Sequence, residues 1–573
     1  MTDIGDRLIR ALTNAGIDAI FGVPGGQTLP LYRAARAAGF RHVLMRDERT
    51  AACAADAYAR VRGHIGVCDA TVGPGVTNLI SGLAEAYASS IPVLAVVADI
   101  RSDQGHLRRR GVVSQAVEQS ALLAPVTKWV ARVERSATFD EVFSHALRVA
   151  TTGRPGPVAL EIPEDVFVES LGEEISTAPS VQAVSPRFRP ALAASDVDRI
   201  NALLAEAERP LLLAGGGVIA SGACDALRAF VEATDIPVAT TIMGKGALDE
   251  GHDLSLGVVG TFGCVRAGAA LIEADAVLVI GSKLDQVSTI GFRMPRAGQR
   301  LVHLDIDGEE IGRVTPVEVG AVADAREALT ALQGHFRRTG ATRHETWISR
   351  LPAEPGFEAT AGGDGVAPEA ILTTISESFP TEATLVSDAS LASGWAARYF
   401  RVGRAGRSFL APRGLAGIGW AGGAAIGASV AAGGRGRVVA LAGDGAWGYT
   451  MAEVETAARA GLPITYVILN NAAYGWITHV ENDMQLDQLS RLGQVDYAAA
   501  ASALGAKAWR VDTIEDFAQA FALATATEGP TVVEVLSSPS ASPTLRVRDL
   551  LNAARAAGNA DDSTSTRQSA YFG

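Results

Sequence analysis

A carboxylate and an amide stand at two strand ends in the C-terminal third of the chain. The apolar run 438–442 ends in Gly443-Asp444-Gly445, and a second run, 464–469, ends in Asn470-Asn471. Between them, 451–460 carries a helical pattern stopped by Gly461 and Pro463. Strand, helix and strand in this order form a βαβ unit, whose two strands are parallel. Asp444 and Asn471 therefore face one crevice, where open α/β sheets bind ligands. A carboxylate and an amide oxygen beside glycine backbone suit Mg²⁺, which takes oxygen ligands and keeps ligand phosphates in its shell. A tight turn and an ordinary loop start would explain each motif alone; their pairing on one unit favours a site. A second carboxylate, Glu48, precedes the alanine-rich helical segment 51–60, with Asp47 as its rival. At a strand-to-helix junction it gains from the helix dipole, and a surface cap is the plainer explanation of such a residue.

The elements that must position these groups come in three blocks. Each repeats a short apolar run, a glycine turn and a helical pattern, the rhythm of a parallel α/β fold. We expect three doubly wound parallel-sheet domains over 1–170, 190–335 and 366–545, with a polar C-terminal tail over 546–573. Residues 171–190 are polar and proline-dotted, and 336–365 ends in Ala-Gly-Gly-Asp-Gly, so both stretches read as linkers. No short-period repeat is present.

Composition narrows the function further. A hydrophobic fraction of 48% excludes a disordered or fibrous chain. The net charge of −13 opposes nucleic-acid and anionic-membrane partners. Four cysteines without a CxxC spacing fit neither a disulfide framework nor a zinc site, and point to the reducing cytoplasm. The opening residues lack the basic and apolar regions of a signal peptide. The uncharged segment 414–434 is long enough for a membrane span, yet its Gly and Ala content predicts a buried helix beneath a ligand. There its glycines would admit backbone to a ring or a diphosphate.

The motifs together resemble thiamine-diphosphate-dependent enzymes, and within them the acetolactate synthase large subunits. Gly443-Asp444-Gly445, a gap over 446–469 and Asn470-Asn471 look like the thiamine-diphosphate motif. Phe21-Gly-Val-Pro-Gly-Gly-Gln, Thr71-Val-Gly-Pro-Gly-Val-Thr-Asn, Gly153-Arg-Pro-Gly-Pro, Met243-Gly-Lys-Gly and His303-Leu-Asp-Ile-Asp-Gly are similar to acetolactate synthase segments in the same order. The resemblance implies a pyrimidine-binding domain, a central Rossmann-like domain and a diphosphate-binding domain. It implies that Asp444, Asn471 and the Ala473 carbonyl hold Mg²⁺ against the cofactor diphosphate. Glu48 would be the buried acid that hydrogen-bonds the aminopyrimidine, which then takes the C2 proton of the thiazolium. The cofactor serves as electron sink for decarboxylation of a 2-oxo acid such as pyruvate, and the retained fragment joins an acceptor carbonyl.

By the same resemblance Ile418 wedges beneath the cofactor and Gln115 is an active-site glutamine. Gly25 and Gly26 would line the pyrimidine side. Ser390, Ser393, Gly417, Gly443, Gly445, Ala446, Tyr474, Gly475 and Trp476 complete the cofactor contacts. The cofactor would lie between two subunits, which implies a homodimer or homotetramer. The pattern departs in places: Leu391 and Ala392 replace a Gln-His pair near the diphosphate, and Val480 replaces an aromatic that selects larger acceptors. Lys283 stands where flavin-binding relatives have Arg, while Gly215-Gly-Gly217 and Asp305 keep FAD open. His479 sits at a spacing similar to benzaldehyde lyases, and either a substrate contact or a solvated helix face explains it. Another 2-oxo acid decarboxylase, an aldehyde lyase, an acyltransferase of the superfamily and a silent cofactor-binding paralogue are the alternatives.

Overall fold

The computed structural model describes residues 2–170, 183–336, 345–354, 365–487, 489–540 and 542–544. The tail expected from 546 and most of both linkers lie outside the described residues. The described residues build three six-stranded sheets in which every strand pair is parallel. The first contains β1 (Ala19–Gly22), β2 (Arg41–Leu44), β3 (Gly66–Ala70), β4 (Val93–Asp99), β5 (Trp129–Arg132) and β6 (Val158–Pro163). The second contains β7 (Pro210–Ala214), β8 (Val238–Thr240), β9 (Ser255–Val258), β10 (Ala276–Ile280), β11 (Arg300–Asp305) and β12 (Val319–Val322). The third contains β13 (Thr384–Ser387), β14 (Phe409–Leu410), β15 (Val438–Gly443), β16 (Ile464–Asn470), β17 (Lys507–Val511) and β18 (Thr531–Leu536).

The central sheet runs β9-β8-β7-β10-β11-β12, the 3-2-1-4-5-6 order of dinucleotide-binding folds. The outer sheets share a different order with each other, β2-β1-β3-β4-β6-β5 and β14-β13-β15-β16-β18-β17. Numbered within its own sheet, each is 2-1-3-4-6-5. Strand order therefore reverses between β1 and β3, and again between β13 and β15. β4 and β16 are buried along their whole length. Helices cover both faces of such a strand, so it reads as one continuous apolar run.

The outer domains meet through a helix pair. Helix Glu48–Arg62 follows β2, and helix Trp420–Ala431 follows β14, the matching place in the third sheet. Their facing residues are small and buried, among them Ala51, Ala54, Ala55, Ala424 and Ala428. A Cβ on Gly423 would run into the Thr50 carbonyl oxygen, and one on Gly427 into the Ala54 carbonyl oxygen. Gly423 and Gly427 thus approach a neighbouring helix, and Gly422 packs against Thr450. This corrects the expectation that they admit a ring or a diphosphate: close packing of two backbones makes the same demand for glycine as a ligand does. Buried polar groups fix the pair in register. Arg60 donates to Asp56 through Nε at 2.6 Å and Nη2 at 3.0 Å, and to the Ala411 carbonyl at 2.9 Å. Its guanidinium lies 4.9 Å from the Trp420 ring centroid, and the Trp420 indole N–H donates to Asp56 at 3.1 Å.

The central domain grips the third through Lys245, from the Met243-Gly-Lys-Gly motif. Its buried ammonium donates to Glu250 at 2.6 and 2.8 Å and to the Ala397 carbonyl at 3.2 Å. Ala397 belongs to the last turn of helix Leu391–Tyr399, where a cation complements the helix dipole. Among the described residues no helix is long and apolar enough to cross a membrane.

The helix contact makes a test of the fold. Gly427→Ala should lower stability by about 1–3 kcal/mol, the usual cost of overpacking, because backbone rather than a flexible side chain must yield. Gly403→Ala is the control, since among the described residues its added Cβ meets no atom within 4 Å. Denaturant melts of both variants check the difference.

Candidate active site

Three strand ends beside the reversal in the third sheet converge on one cavity of about 440 Å³. After β13, the chain turns through Ser390, held at φ 62°, into helix Leu391–Tyr399. This is a backbone conformation that side chains rarely adopt, and such strain concentrates at functional sites. After β15, Asp444 opens the one-turn helix Asp444–Trp447. After β16, the two asparagines divide their work. Asn470 Nδ2 donates to Glu534 at 2.7 Å and to the Val495 carbonyl at 3.2 Å, and its Oδ1 accepts from the Ala472 amide at 3.1 Å. Asn471 lines the cavity instead, and its Oδ1 is buried without a hydrogen-bond partner among the described residues. Ala472, between Asn471 and Ala473, is also held at positive φ, 52°.

Burial pushes the Asp444 carboxyl up to about 6, partly offset by the backbone N–H groups of Gly445, Ala473 and Asn471. An orphaned amide oxygen and a desolvated carboxylate in one cavity are what a hard cation would relieve. Among the described residues no group of three or more His, Cys, Asp or Glu side chains could hold a metal. The donor set here is one carboxylate, one amide and backbone carbonyl, which leaves coordination positions for phosphate oxygens and water, as Mg²⁺ prefers.

Two carboxylates that the motifs did not single out hold the loop bearing Ile418. Asp388, fully buried at the end of β13, accepts from the amides of Ala389 at 2.8 Å, Gly419 at 2.9 Å and Ala421 at 2.8 Å. Burial still pushes it up to about 6. Glu85, from helix Pro74–Ala88 of the first domain, accepts from the successive amides of Gly414 at 3.1 Å, Leu415 at 2.8 Å and Ala416 at 2.8 Å. Ala416 itself lies at φ 58°. Between these anchors Ile418 reaches the cavity wall.

Of the residues expected at the site, the structure brings Ser390, Ile418, Gly443, Asp444, Gly445, Ala446, Asn471, Ala473, Tyr474, Gly475 and Trp476 to this cavity. Leu391, Ala392, Phe262, Val287 and Arg413 share the wall. Gly445 has no room for a side chain, since a Cβ would sit 2.7 Å from the Tyr474 ring. Ser393 and Gly417 lie outside the lining; the buried Ser393 hydroxyl donates to the Ser390 carbonyl at 2.9 Å, so it supports the turn from behind. His479 and Val480 lie on helix Gly475–Asp483, also outside the lining.

Glu48, Gln115, Gly25 and Gly26 do not line this cavity. They gather at the equivalent reversal of the first sheet, around the turn Thr71–Gly75 that follows β3. Glu48 is 8% exposed in the first turn of its helix, and its Oε2 accepts from Asn78 Nδ2 at 2.9 Å. The capping role falls to Asp47, which accepts from the Arg49 amide at 2.7 Å. A Cβ on Gly75 would lie 3.2 Å from Glu48 Oε1, and one on Gly25 would strike Thr71. Gln115 is exposed at φ 63°, with its carbonyl packed against Gly73. Gly26 faces open space.

Comparison with known proteins agrees over most of the chain. Residues 2–122 match the thiamine pyrophosphate enzyme N-terminal TPP binding domain, 197–332 the central domain and 388–535 the C-terminal TPP binding domain. The probable acetolactate synthase large subunit of Methanocaldococcus jannaschii is 32% identical over 549 residues, covering 93% of this chain and 92% of its own. The acetolactate synthase large subunit of Corynebacterium glutamicum is 34% identical over 533 residues, covering 89% and 82%. That of Lactococcus lactis is 30% identical over 541 residues, covering 93% and 92%. With a cavity that offers Asp444 and Asn471 from adjacent parallel strands, the chain belongs to the thiamine pyrophosphate enzyme family and is an acetolactate synthase-like, thiamine-diphosphate-dependent carboligase and decarboxylase.

Proposed function

We propose that the donor is pyruvate, that its carboxyl group leaves as carbon dioxide, and that the retained fragment is ligated to an acceptor carbonyl. The observation that carries this proposal is the buried, partnerless Asn471 Oδ1 beside Asp444 in one cavity. Asp444, Asn471 and the Ala473 carbonyl would hold Mg²⁺. Ser390, Gly443, Gly445, Ala446 and the N-terminus of helix Leu391–Tyr399 would take the phosphate oxygens, as helix N-termini do. When bound, the thiazolium of thiamine diphosphate supplies the electron sink for loss of carbon dioxide. Ile418, Tyr474, Gly475 and Trp476 would shape the cavity and exclude water from it. Glu48 would hold or release a proton at Oε1, because Asn78 occupies Oε2. Gln115, Gly25 and Gly26 would flank that proton site.

Glu48 does not line the cavity that holds Asp444, and this supports a working site in which a second copy brings its Glu48 region over the cavity. A homodimer, or a homotetramer made of such dimers, answers that need. Leu415, Ile477 and Met484 are 54, 48 and 52% exposed and supply apolar surface near the cavity for it. A cytoplasmic location fits the four free cysteines.

FAD would occupy a smaller cavity of about 250 Å³ at the C-terminal edge of the central sheet. There Arg154 pairs with Glu310 at 3.1 Å, and Lys283 donates to the Ala88 carbonyl. Asp285, Asp305, Glu310 and Asp324 face the same space. Arg413 is the third cation of this lining, so four carboxylates face three cations, two of them already engaged; that is a poor fit to a flavin diphosphate, and no step here depends on it. Purified protein should show no flavin absorbance, and adding FAD should leave the rate unchanged.

Product analysis with thiamine diphosphate, Mg²⁺ and pyruvate, alone and beside candidate acceptors, should detect carbon dioxide and a ligated product. Cofactor binding with no carbon dioxide from a panel of 2-oxo acids would instead identify a silent paralogue. Glu48→Gln should lose roughly 10²–10⁴-fold in turnover, the scale of general acid–base catalysis, with cofactor affinity largely kept. Asp444→Ala should weaken cofactor affinity at fixed Mg²⁺ by about tenfold or more, since even outer-shell losses cost that much.

A further inference from the structure

The third domain reaches across to the turn that carries Glu48. Among the described residues the Glu48 carboxylate has one hydrogen bond, from Asn78 Nδ2. The turn that aims it is gripped by Glu453, the first residue of helix Glu453–Arg459, which follows helix Asp444–Trp447 along the chain. Glu453 Oε1 accepts from the Arg46 amide at 3.1 Å and from the Thr50 hydroxyl. These residues stand on either side of Glu48, at equal spacing in the chain. The Thr50 hydroxyl also lies 2.7 Å from the Asp47 carbonyl, so it ties Glu453 into the start of the helix. Weaker contacts surround this grip. Arg49 Nη2 donates to the Tyr449 carbonyl at 3.0 Å, with its guanidinium 5.2 Å from the Tyr449 ring centroid. Arg459 Nη2 donates to the Leu44 carbonyl at 2.6 Å, and Arg46 approaches Glu455 at 3.6 Å.

The exposed ion pair Arg46–Glu455 adds little, as surface pairs do. Glu453 is of another kind. It is buried, and among the described residues it makes no ion pair. Burial pushes its carboxyl up, as does the charge of Asp47, and the hydroxyls of Thr50 and Thr456 and the Arg46 amide hold it down in part. A buried carboxylate without a cation is costly, and hydrogen bonds to such a group are the strong ones. Thr456 lies on the helix of Glu453 itself; the other two donors flank Glu48. A proton-transfer group must lie within hydrogen-bond reach of the atom it serves, and a misplacement of about 1 Å can cost roughly 10²-fold. We propose that Glu453 is a positioning residue for Glu48: by holding the Arg46 amide and the Thr50 hydroxyl, it fixes the turn between them and thereby the place where Glu48 presents Oε1.

This inference rests on the proton role proposed for Glu48, and its test separates the two. Holoenzyme with thiamine diphosphate and Mg²⁺, without any 2-oxo acid, would be placed in deuterated water and the exchange of the cofactor C2 proton followed. Glu453→Ala should slow that exchange at least about tenfold, with cofactor affinity kept within about twofold. Glu453→Gln keeps an accepting oxygen and loses only the charge, so it should stay within about threefold of wild type. Thr50→Val removes one of the two donors; it should slow exchange less, and add little when combined with Glu453→Ala. In protein without cofactor, backbone amide exchange over 46–50 should quicken in Glu453→Ala and keep its wild-type rate in Glu453→Gln. Unchanged C2 exchange in Glu453→Ala overturns the assignment. So does a Glu453→Gln variant as slow as Glu453→Ala, or a loss of cofactor affinity that accounts for the slower exchange. If Glu453→Ala does not fold, unchanged C2 exchange in Thr50→Val overturns it. Wild-type C2 exchange in Glu48→Gln would remove the proposed role of Glu48 itself, and this inference would fall with it.

Discussion

Two helices that touch backbone to backbone set the geometry of everything else. Helices Glu48–Arg62 and Trp420–Ala431 can approach so closely only because Gly423 and Gly427 leave the Thr50 and Ala54 carbonyls unobstructed. The pair carries Glu48 at one end of the contact and the Ile418 loop just before the other helix. A shift in that packing would move both functional elements at once. The ion pair of Asp56 and Arg60, with the Trp420 indole N–H donating to it, adds register to proximity. Buried ion pairs are weak sources of net stability, and their best-attested use is to specify one arrangement among several. Small side chains supply the closeness here, and the ion pair supplies the choice.

The site is then held by carboxylates that do no chemistry. Asp388 accepts from backbone amides on one side of the 414–419 loop and Glu85 from those on the other, besides Arg60 and Ser89, where an unpaired buried N–H would be costly. Their hydrogen bonds keep Ala416 in a strained conformation without a glycine. Ser390 and Ala472 are similarly strained, so the cavity is ringed by backbone that the surroundings over-determine. A rigid rim of this kind suits a reaction whose cofactor must be held in one shape.

What could be read from sequence followed the range of the interaction. The βαβ unit bearing Asp444 and Asn471 was legible because strand, helix and strand are neighbours in the chain. Spacing alone could not tell Asn470 from Asn471; that division depends on Glu534, which reaches Asn470 from β18. Asp47 and Glu48 were likewise adjacent candidates, separated only once the helix start placed one as cap and the other against Asn78. The glycine excess in 414–434 correctly signalled close approach, yet a glycine is silent about what approaches it. Glu85 was invisible, a lone acid in helix Pro74–Ala88. Its role exists only across domains.

The shared strand order of the outer sheets gives each chain two crevices of the same design, dressed differently. One carries oxygen ligands and amides, the other a protonatable carboxylate. If each crevice must close on the unlike crevice of another copy, completed sites arise in pairs, and a lone chain contains two halves and no whole. Catalytic capacity then scales with the concentration of paired chains rather than of chains. Dilution below the dissociation constant of the pair would silence the enzyme with every fold intact, so assembly itself becomes a reactant in the rate law.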